Sequence, residues 1–227
     1  MENACKELNS QVAERREEEL LEGMRTARMS IGRGDVVAIP TDTQYALVAD
    51  AFKPAAAAQL RSARGMPANA PLSVFLPGIP TLAALAEHVD EDVKTLAQEF
   101  WPGGLTLIVP AGESLAWDLG ETKGTVALRM PGNRIALELL SETGPLVQSG
   151  AFIQGEKPLV SPSAIAKRLG DAVSVFLAAG EEKPGKEFST VIDATGVGHP
   201  GGKLRVVREG LIPLTDIFHA VPAERFA

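Results

Sequence analysis

Pro40-Thr41-Asp42-Thr43-Gln44-Tyr45 places two hydroxyls, a carboxylate and the chain's one tyrosine directly behind a short apolar run, Val36–Ile39. Polar groups at the mouth of a buried strand are where open α/β sheets take ligands; the plain alternative is a strand, a proline and a polar turn. A second set of polar residues, Thr125, Arg129, Ser189, Thr190, Arg205 and Arg208, lies within or beside other short apolar runs. An arginine next to a buried strand is costly unless a carboxylate, a phosphate or another anion meets it. Asp42, Glu187 and Asp193 are the carboxylates nearest in pattern, and pairing with them is one reading. The other is a cleft in which arginines and hydroxyls clamp a phosphate and a carboxylate of a ligand. GxGxxG, GxxxxGK[ST] and GxSxG are absent, and no Ser/His/Asp or Cys/His set is visible, so no covalent nucleophile is expected. Cys5 is the single cysteine and His88, His199 and His219 are far apart, so no resident metal is expected either.

Composition bounds the setting of this chemistry. The chain has 227 residues, 45% of them hydrophobic, which suits one large folded α/β domain with a sizeable core. A net charge of −7 speaks against a general nucleic-acid binder, whose affinity comes from neutralising phosphates, while leaving room for a local basic cleft. No apolar run reaches 18 residues and the first 30 residues are highly charged, so neither a membrane span nor a secretory signal is expected and the cytoplasm is the default location.

The elements that must position these groups follow from periodicity. Residues 7–33 carry Leu20, Met24, Ala27 and Ile31 at three- and four-residue spacing, which predicts an amphipathic helix ended by Gly32 and Gly34. This N-terminal segment, residues 1–33, is read as part of the same domain as residues 34–227, and its charged stretch Glu14–Glu22 as a solvated face. Helices are also predicted over 53–63, 81–87, 90–100 with Asp90 as N-cap, 135–141, 161–169 capped by Ser161 or Ser163, and 211–220. Strands are predicted over 36–39, 46–49, 72–76, 105–110, 124–130, 146–147, 173–178, 188–194 and 204–207; 148–162 reads as a loop and 181–186 as a charged loop. The irregular alternation predicts a mixed, twisted α/β sheet in one domain.

PTDTQYAL resembles the signature of the YrdC family, Pro-Thr-(Asp/Glu)-Thr-x-Tyr-Gly-Leu. WPGGLTLIVP is similar to the family's Trp-Pro-Gly-Pro-Leu-Thr segment, and GTVALRMPGN to its Val-Ala-Val-Arg-Val-Pro segment. PLVQSGAFIQGEKP stands in the place of Pro-Leu-x-x-x-Ser-Ala-Asn-x-Ser-Gly, FSTVID matches Ser-Thr-Val-(Val/Ile)-Asp, and VVREG matches Leu-Arg-x-Gly. Each segment is weak alone; six in the right order are strong. The resemblance implies a YrdC-type fold with a concave ligand-binding face. It also implies a threonylcarbamoyl-AMP synthase, a nucleotidyltransferase that joins ATP, L-threonine and bicarbonate for tRNA adenosine-37 modification. On this basis Thr41, Arg129 and Ser189 would contact the threonine or its carbamate. Arg64, Thr125, Ser149 and Arg208 would face the nucleotide, and Mg2+ would accompany ATP on its phosphates.

The chain also departs from the family pattern. The phosphate-holding Lys-x-Arg falls on Arg64-Gly65-Met66, and Ser-Ala-Asn falls on Gly150-Ala151-Phe152. The histidine many members carry falls on Phe75, and the glycine after the signature tyrosine is Ala46. Losing a phosphate cation and two polar contacts would cost several kcal/mol of nucleotide affinity, at roughly 1.5–3 kcal/mol per charged hydrogen bond. Phe152 would either stack on an adenine or fill its pocket. Two other readings therefore stand beside the synthase: an inactive or repurposed paralogue binding a different nucleotide or small molecule, and a translation-associated protein binding tRNA or double-stranded RNA. The last would need a basic lining from Arg61, Arg64, Arg129, Arg205 and Arg208.

Overall fold

The computed structural model describes residues 2–113, 115–178, 187–199 and 201–227, with side chains from residue 18 onward. The charged stretch 181–186, the side chain of Cys5 and those of residues 14–17 lie outside the described residues. In chain order the strands are β1 (Val37–Ile39), β2 (Ala46–Asp50), β3 (Ser73–Phe75), β4 (Leu105–Pro110), β5 (Thr125–Arg129), β6 (Leu146–Gly150), β7 (Val175–Phe176), β8 (Thr190–Asp193) and β9 (Arg205–Arg208). The helices are α1 (Glu2–Arg33), α2 (Pro54–Ala63), α3 (Pro80–Leu85), α4 (Glu91–Phe100), α5 (Arg134–Thr143), α6 (Pro162–Leu169) and α7 (Leu214–Ala220). The strands form one twisted sheet in the order β7-β1-β2-β6-β3-β5-β4-β8-β9. It is mixed: β1–β7, β3–β5 and β4–β8 are parallel, and the other neighbours are antiparallel.

Period-two alternation gives each strand two faces, and the sheet covers them unequally. Leu47 and Ala49 of β2, Leu105, Leu107 and Val109 of β4, and Val126 and Leu128 of β5 point into the larger core, beneath α2, α4 and α7. Val37 and Ile39 of β1, Ala46 and Val48 of β2, Phe75 and Leu146 point the other way, into a smaller core closed by α1 and α5. Met24, Ala27 and Ile31 are the buried stripe of α1, as the spacing predicts. Gly34, at φ +98°, takes the left-handed conformation that lets the chain turn out of that helix. The smaller core stops short of β4, β8 and β9. On that face a cavity opens, lined there by Arg129 of β5, Ser189 beside β8 and Arg208 of β9.

Most predicted elements sit where the pattern puts them, with trimmed ends. Asp90 caps α4 by accepting from the Asp92 N–H (3.0 Å), and Ser161, not Ser163, caps α6 by accepting from the Ala164 N–H (3.2 Å). Two strands differ from expectation. β6 runs through Gln148, Ser149 and Gly150, which read as loop, because β2 pairs all three on one side and β3 pairs Gln148 on the other. β7 keeps only Val175 and Phe176 of the predicted 173–178, because its one partner, β1, is three residues long. No helix among the described residues is long and apolar enough to cross a membrane.

Candidate functional site

The turn joining β1 to β2 forms the floor of the cavity. Its centre is Arg129, the last residue of β5, paired in register with Phe75 of β3. Arg129 is 4% exposed, and its guanidinium is held from three directions. Nε donates to the Gly103 carbonyl (2.9 Å), Nη1 to Thr43 Oγ1 (2.8 Å) and Nη2 to Asp42 Oδ1 (2.7 Å). Asp42 Oδ1 also accepts the Gly132 N–H (2.8 Å), so one carboxylate fastens the β1–β2 turn to the end of β5. The WPGG segment enters the same knot, because the Gly103 N–H bonds the Met130 carbonyl (2.8 Å). Asp42 Oδ2 is buried without a partner.

Proton bookkeeping orders the hydroxyls of the turn. Thr41 Oγ1 donates to the Gln44 carbonyl (2.5 Å), so its hydrogen is committed and towards Thr43 Oγ1 (3.0 Å) it accepts. The chain therefore runs Arg129 Nη1–H to Thr43 Oγ1–H to Thr41 Oγ1–H to the Gln44 carbonyl, each bond polarising the next. The N–H groups of Thr43 and Gln44 also point at Thr41 Oγ1, at 3.1 Å each. Thr41 lines the cavity but organises its own turn. Arg129 keeps two of its five N–H hydrogens without a partner among the described residues.

Two further arginines stand on the walls. Arg64, at the end of α2, is 8% exposed. Its Nε donates to the Phe152 carbonyl (2.7 Å), and its Nη1 donates to Ser149 Oγ and reaches Met66 Sδ (3.7 Å). The Phe152 ring lies 4.3 Å from its guanidinium carbon. Arg208, at the end of β9, donates through Nε to the Ser189 carbonyl (3.0 Å) and through Nη2 to Ser189 Oγ (3.3 Å), beside the Phe188 ring at 5.0 Å. Ser189 Oγ in turn meets Thr106 Oγ1 (2.8 Å). Among the described residues no carboxylate lies within ion-pair distance of Arg64 or Arg208. Burial pulls all three guanidinium groups below their ordinary value; for Arg129 Asp42 opposes this, and the charge of Arg208 adds to it. Like charges facing one cavity are the electrostatic signature of an anion site.

The structure brings Thr41, Arg64, Arg129, Ser149, Ser189 and Arg208 to one cavity of about 220 Å³. Thr125 is not among its lining residues. It sits four residues from Arg129 at the far end of β5, where its hydroxyl donates to the Thr122 carbonyl (2.8 Å). Thr190 is fully buried and fastens β8 to the segment at Gly210 and Ile212. Pairing with carboxylates accounts for Arg129 through Asp42 and for Arg205 through Asp193 (2.7 Å), but not for Arg64 or Arg208. Arg61, 1% exposed, is sealed against Asp118 and the Ala70 carbonyl. Of the five arginines, Arg64, Arg129 and Arg208 line the cavity, whereas Arg61 is sealed in the interior and Arg205 is paired with Asp193. Thr43, the second hydroxyl of the strand-mouth turn, also lines the cavity, as do Ser73, Gln148 and Phe188, which the sequence does not single out. Thr43 was legible in the hydroxyl–carboxylate–hydroxyl turn. Gln148, which donates to Ser73 Oγ, was not, because its segment lacks a strand pattern.

A cavity of this size is below the roughly 300–1,000 Å³ of sites that engulf a whole drug-sized ligand, so it suits an amino acid or a phosphate group with the rest of a ligand lying outside. The Sua5/YciO/YrdC family, described as "Telomere recombination", matches residues 30–210. The chain is 41% identical over 190 residues to a Mycobacterium tuberculosis protein provisionally named threonylcarbamoyl-AMP synthase, covering 83% of this chain and 84% of that one. Its fold resembles that of Pyrococcus abyssi Sua5 complexed with L-threonine, with a TM-score of 0.79 and 30% identity over 90% of this chain; it spans 58% of the Sua5 chain. It also resembles E. coli YciO, with a TM-score of 0.75 and 25% identity, covering 86% of this chain and 92% of that one.

Proposed function

The chain belongs to the Sua5/YciO/YrdC family, and from that premise we propose that it is a cytoplasmic threonylcarbamoyl-AMP synthase. It joins ATP, L-threonine and bicarbonate into threonylcarbamoyl-adenylate, releases pyrophosphate, and supplies the modification of adenosine 37 in tRNA. The observation that carries this reading is the charge layout: one arginine neutralised by Asp42 and two without a carboxylate among the described residues, around one cavity. Such a layout suits a ligand set with two anionic ends, an amino-acid carboxylate and a polyphosphate. Arg129, with two N–H hydrogens to give, and Ser189 face the threonine; Arg64, Ser149 and Arg208 face the phosphates.

The reaction needs no enzyme nucleophile. The neutral amino nitrogen attacks the bicarbonate carbon, whose hydroxyl leaves as water with one amine proton, and an oxygen of the resulting carbamate attacks the α-phosphorus and displaces pyrophosphate. The protein's part is to hold the reactants together and to meet phosphate charge with donors already in place. Magnesium would accompany ATP on its phosphates, as that ion usually keeps several waters and few protein ligands. Thr125, at the opposite end of β5 from Arg129, stands outside the cavity, on the reach of a nucleotide that extends beyond it. A second reading, a family member with a changed ligand, is favoured by Met66 and Phe152, which put a thioether and a ring on the phosphate wall.

The test is pyrophosphate release by the purified chain with MgATP, L-threonine and bicarbonate. Release that depends on threonine is the expected result. Threonine binding without nucleotide binding at millimolar ATP would support the second reading, and absence of both would overturn the first.

A further inference from the structure

Arg64 is a buried cation that no acid restrains among the described residues. Four of its features converge. Nε and Nη1 are occupied by the Phe152 carbonyl, Ser149 Oγ and Met66 Sδ, whereas Nη2 has no partner among the described residues. Its flat face is covered by the Phe152 ring at 4.3 Å. Only 8% of its surface is exposed, and burial disfavours its charge, which an arginine without a carboxylate tolerates only when other groups orient and stabilise it. A Cβ on Gly150 would stand 2.3 Å from Phe152 Cε1 and 3.0 Å from Cδ1, so the ring occupies the space of a side chain at 150.

We propose that Phe152 is a positioning residue for phosphate binding: it fixes the Arg64 guanidinium by stacking, and Gly150 is the space that lets it do so. A ring and a carboxylate both orient an arginine, but only the carboxylate cancels its charge. Asp42 does the second to Arg129; Phe152 does the first to Arg64 and leaves the full charge, with one free edge, for a phosphate. The residues at 150 and 152 are thus one device: the glycine leaves the space and the ring fills it against the guanidinium. This deepens the reading of the cavity as an ATP site and rests on it.

The test uses the full chain with inorganic pyrophosphate and MgATP as titrants and L-threonine as the control ligand. Phe152→Leu should weaken pyrophosphate and ATP by about five- to thirtyfold, the range a desolvated cation–aromatic contact supplies. Threonine affinity should stay within about twofold, and Phe152→Tyr, which keeps the ring, should bind like the parent. In an Arg64→Leu background Phe152→Leu should cost nothing more, because the ring acts through the arginine. Unchanged pyrophosphate affinity in Phe152→Leu, an equal loss of threonine affinity, or a parent chain that binds no pyrophosphate would each overturn the proposal. A parent chain that binds pyrophosphate through Phe152 yet releases none from ATP would overturn the synthase reading and leave this one standing.

Discussion

Arg129 and Arg64 line the same cavity, both are buried, and both face an aromatic ring, at 5.7 Å for Phe75 and 4.3 Å for Phe152. They are held in opposite ways. Asp42, Thr43 and the Gly103 carbonyl grip Arg129 as the joint between the β1–β2 turn, the WPGG segment and β5. Arg64 is held by neutral groups alone. The first guanidinium is a neutralised joint of the fold; the second is a charge that no carboxylate among the described residues offsets. A buried arginine is therefore judged by what neutralises it and not by how deeply it lies.

The largest effect that would sharpen this contrast is on stability. Arg129→Ala should destabilise the chain by about 3–5 kcal/mol in urea unfolding, because it strands the buried Asp42 carboxylate. Arg64→Met should shift stability by less than about 1 kcal/mol and weaken pyrophosphate binding by about ten- to hundredfold, the value of a charged hydrogen bond. An Arg64→Met chain as unstable as Arg129→Ala would break the comparison. Gly150→Ser should cost about 1–3 kcal/mol by overpacking against Phe152, and adding Phe152→Ala should recover more than half of it; additive losses would show that the two positions are independent.

The smallest effect is the exposed counterpart of the buried pair, Arg205–Asp193. Burial pushes the Asp193 carboxyl up, but bonds from Arg205 and Thr195 outweigh it and hold it below its ordinary value. A folded-state value lower than the unfolded one stabilises above about pH 4 and is lost as pH falls through the folded-state value. Asp193→Asn should therefore cost about 0–1 kcal/mol at pH 7, and the difference should shrink in thermal unfolding as pH is lowered below about 4.

Much of this was legible because each signal was local. The stripe of α1 and the apolar runs of β1, β2, β4 and β5 declare their faces by period. Asp90 and Ser161 announce their helices by capping, and the proline-bounded turn at Thr41 marks the strand mouth. The second half of β6 was hidden because Gln148, Ser149 and Gly150 have no strand propensity; pairing with β2, joined at Gln148 by β3, makes them a strand. Thr125 and Arg129 share a face of β5 by parity, yet one lies at each end of the strand, about 13 Å apart.

By itself the sequence determined the family pattern, the mixed sheet and the set of arginines and hydroxyls, because periodicity and short motifs are properties of neighbours along the chain. Only the tertiary structure decided which arginine meets a carboxylate. Asp42 and Arg129 lie 87 residues apart and are joined by the sheet order, as are Arg64 and Phe152 at a separation of 88. Charge neutralisation acts over a few ångströms of space, and no spacing along the chain encodes it.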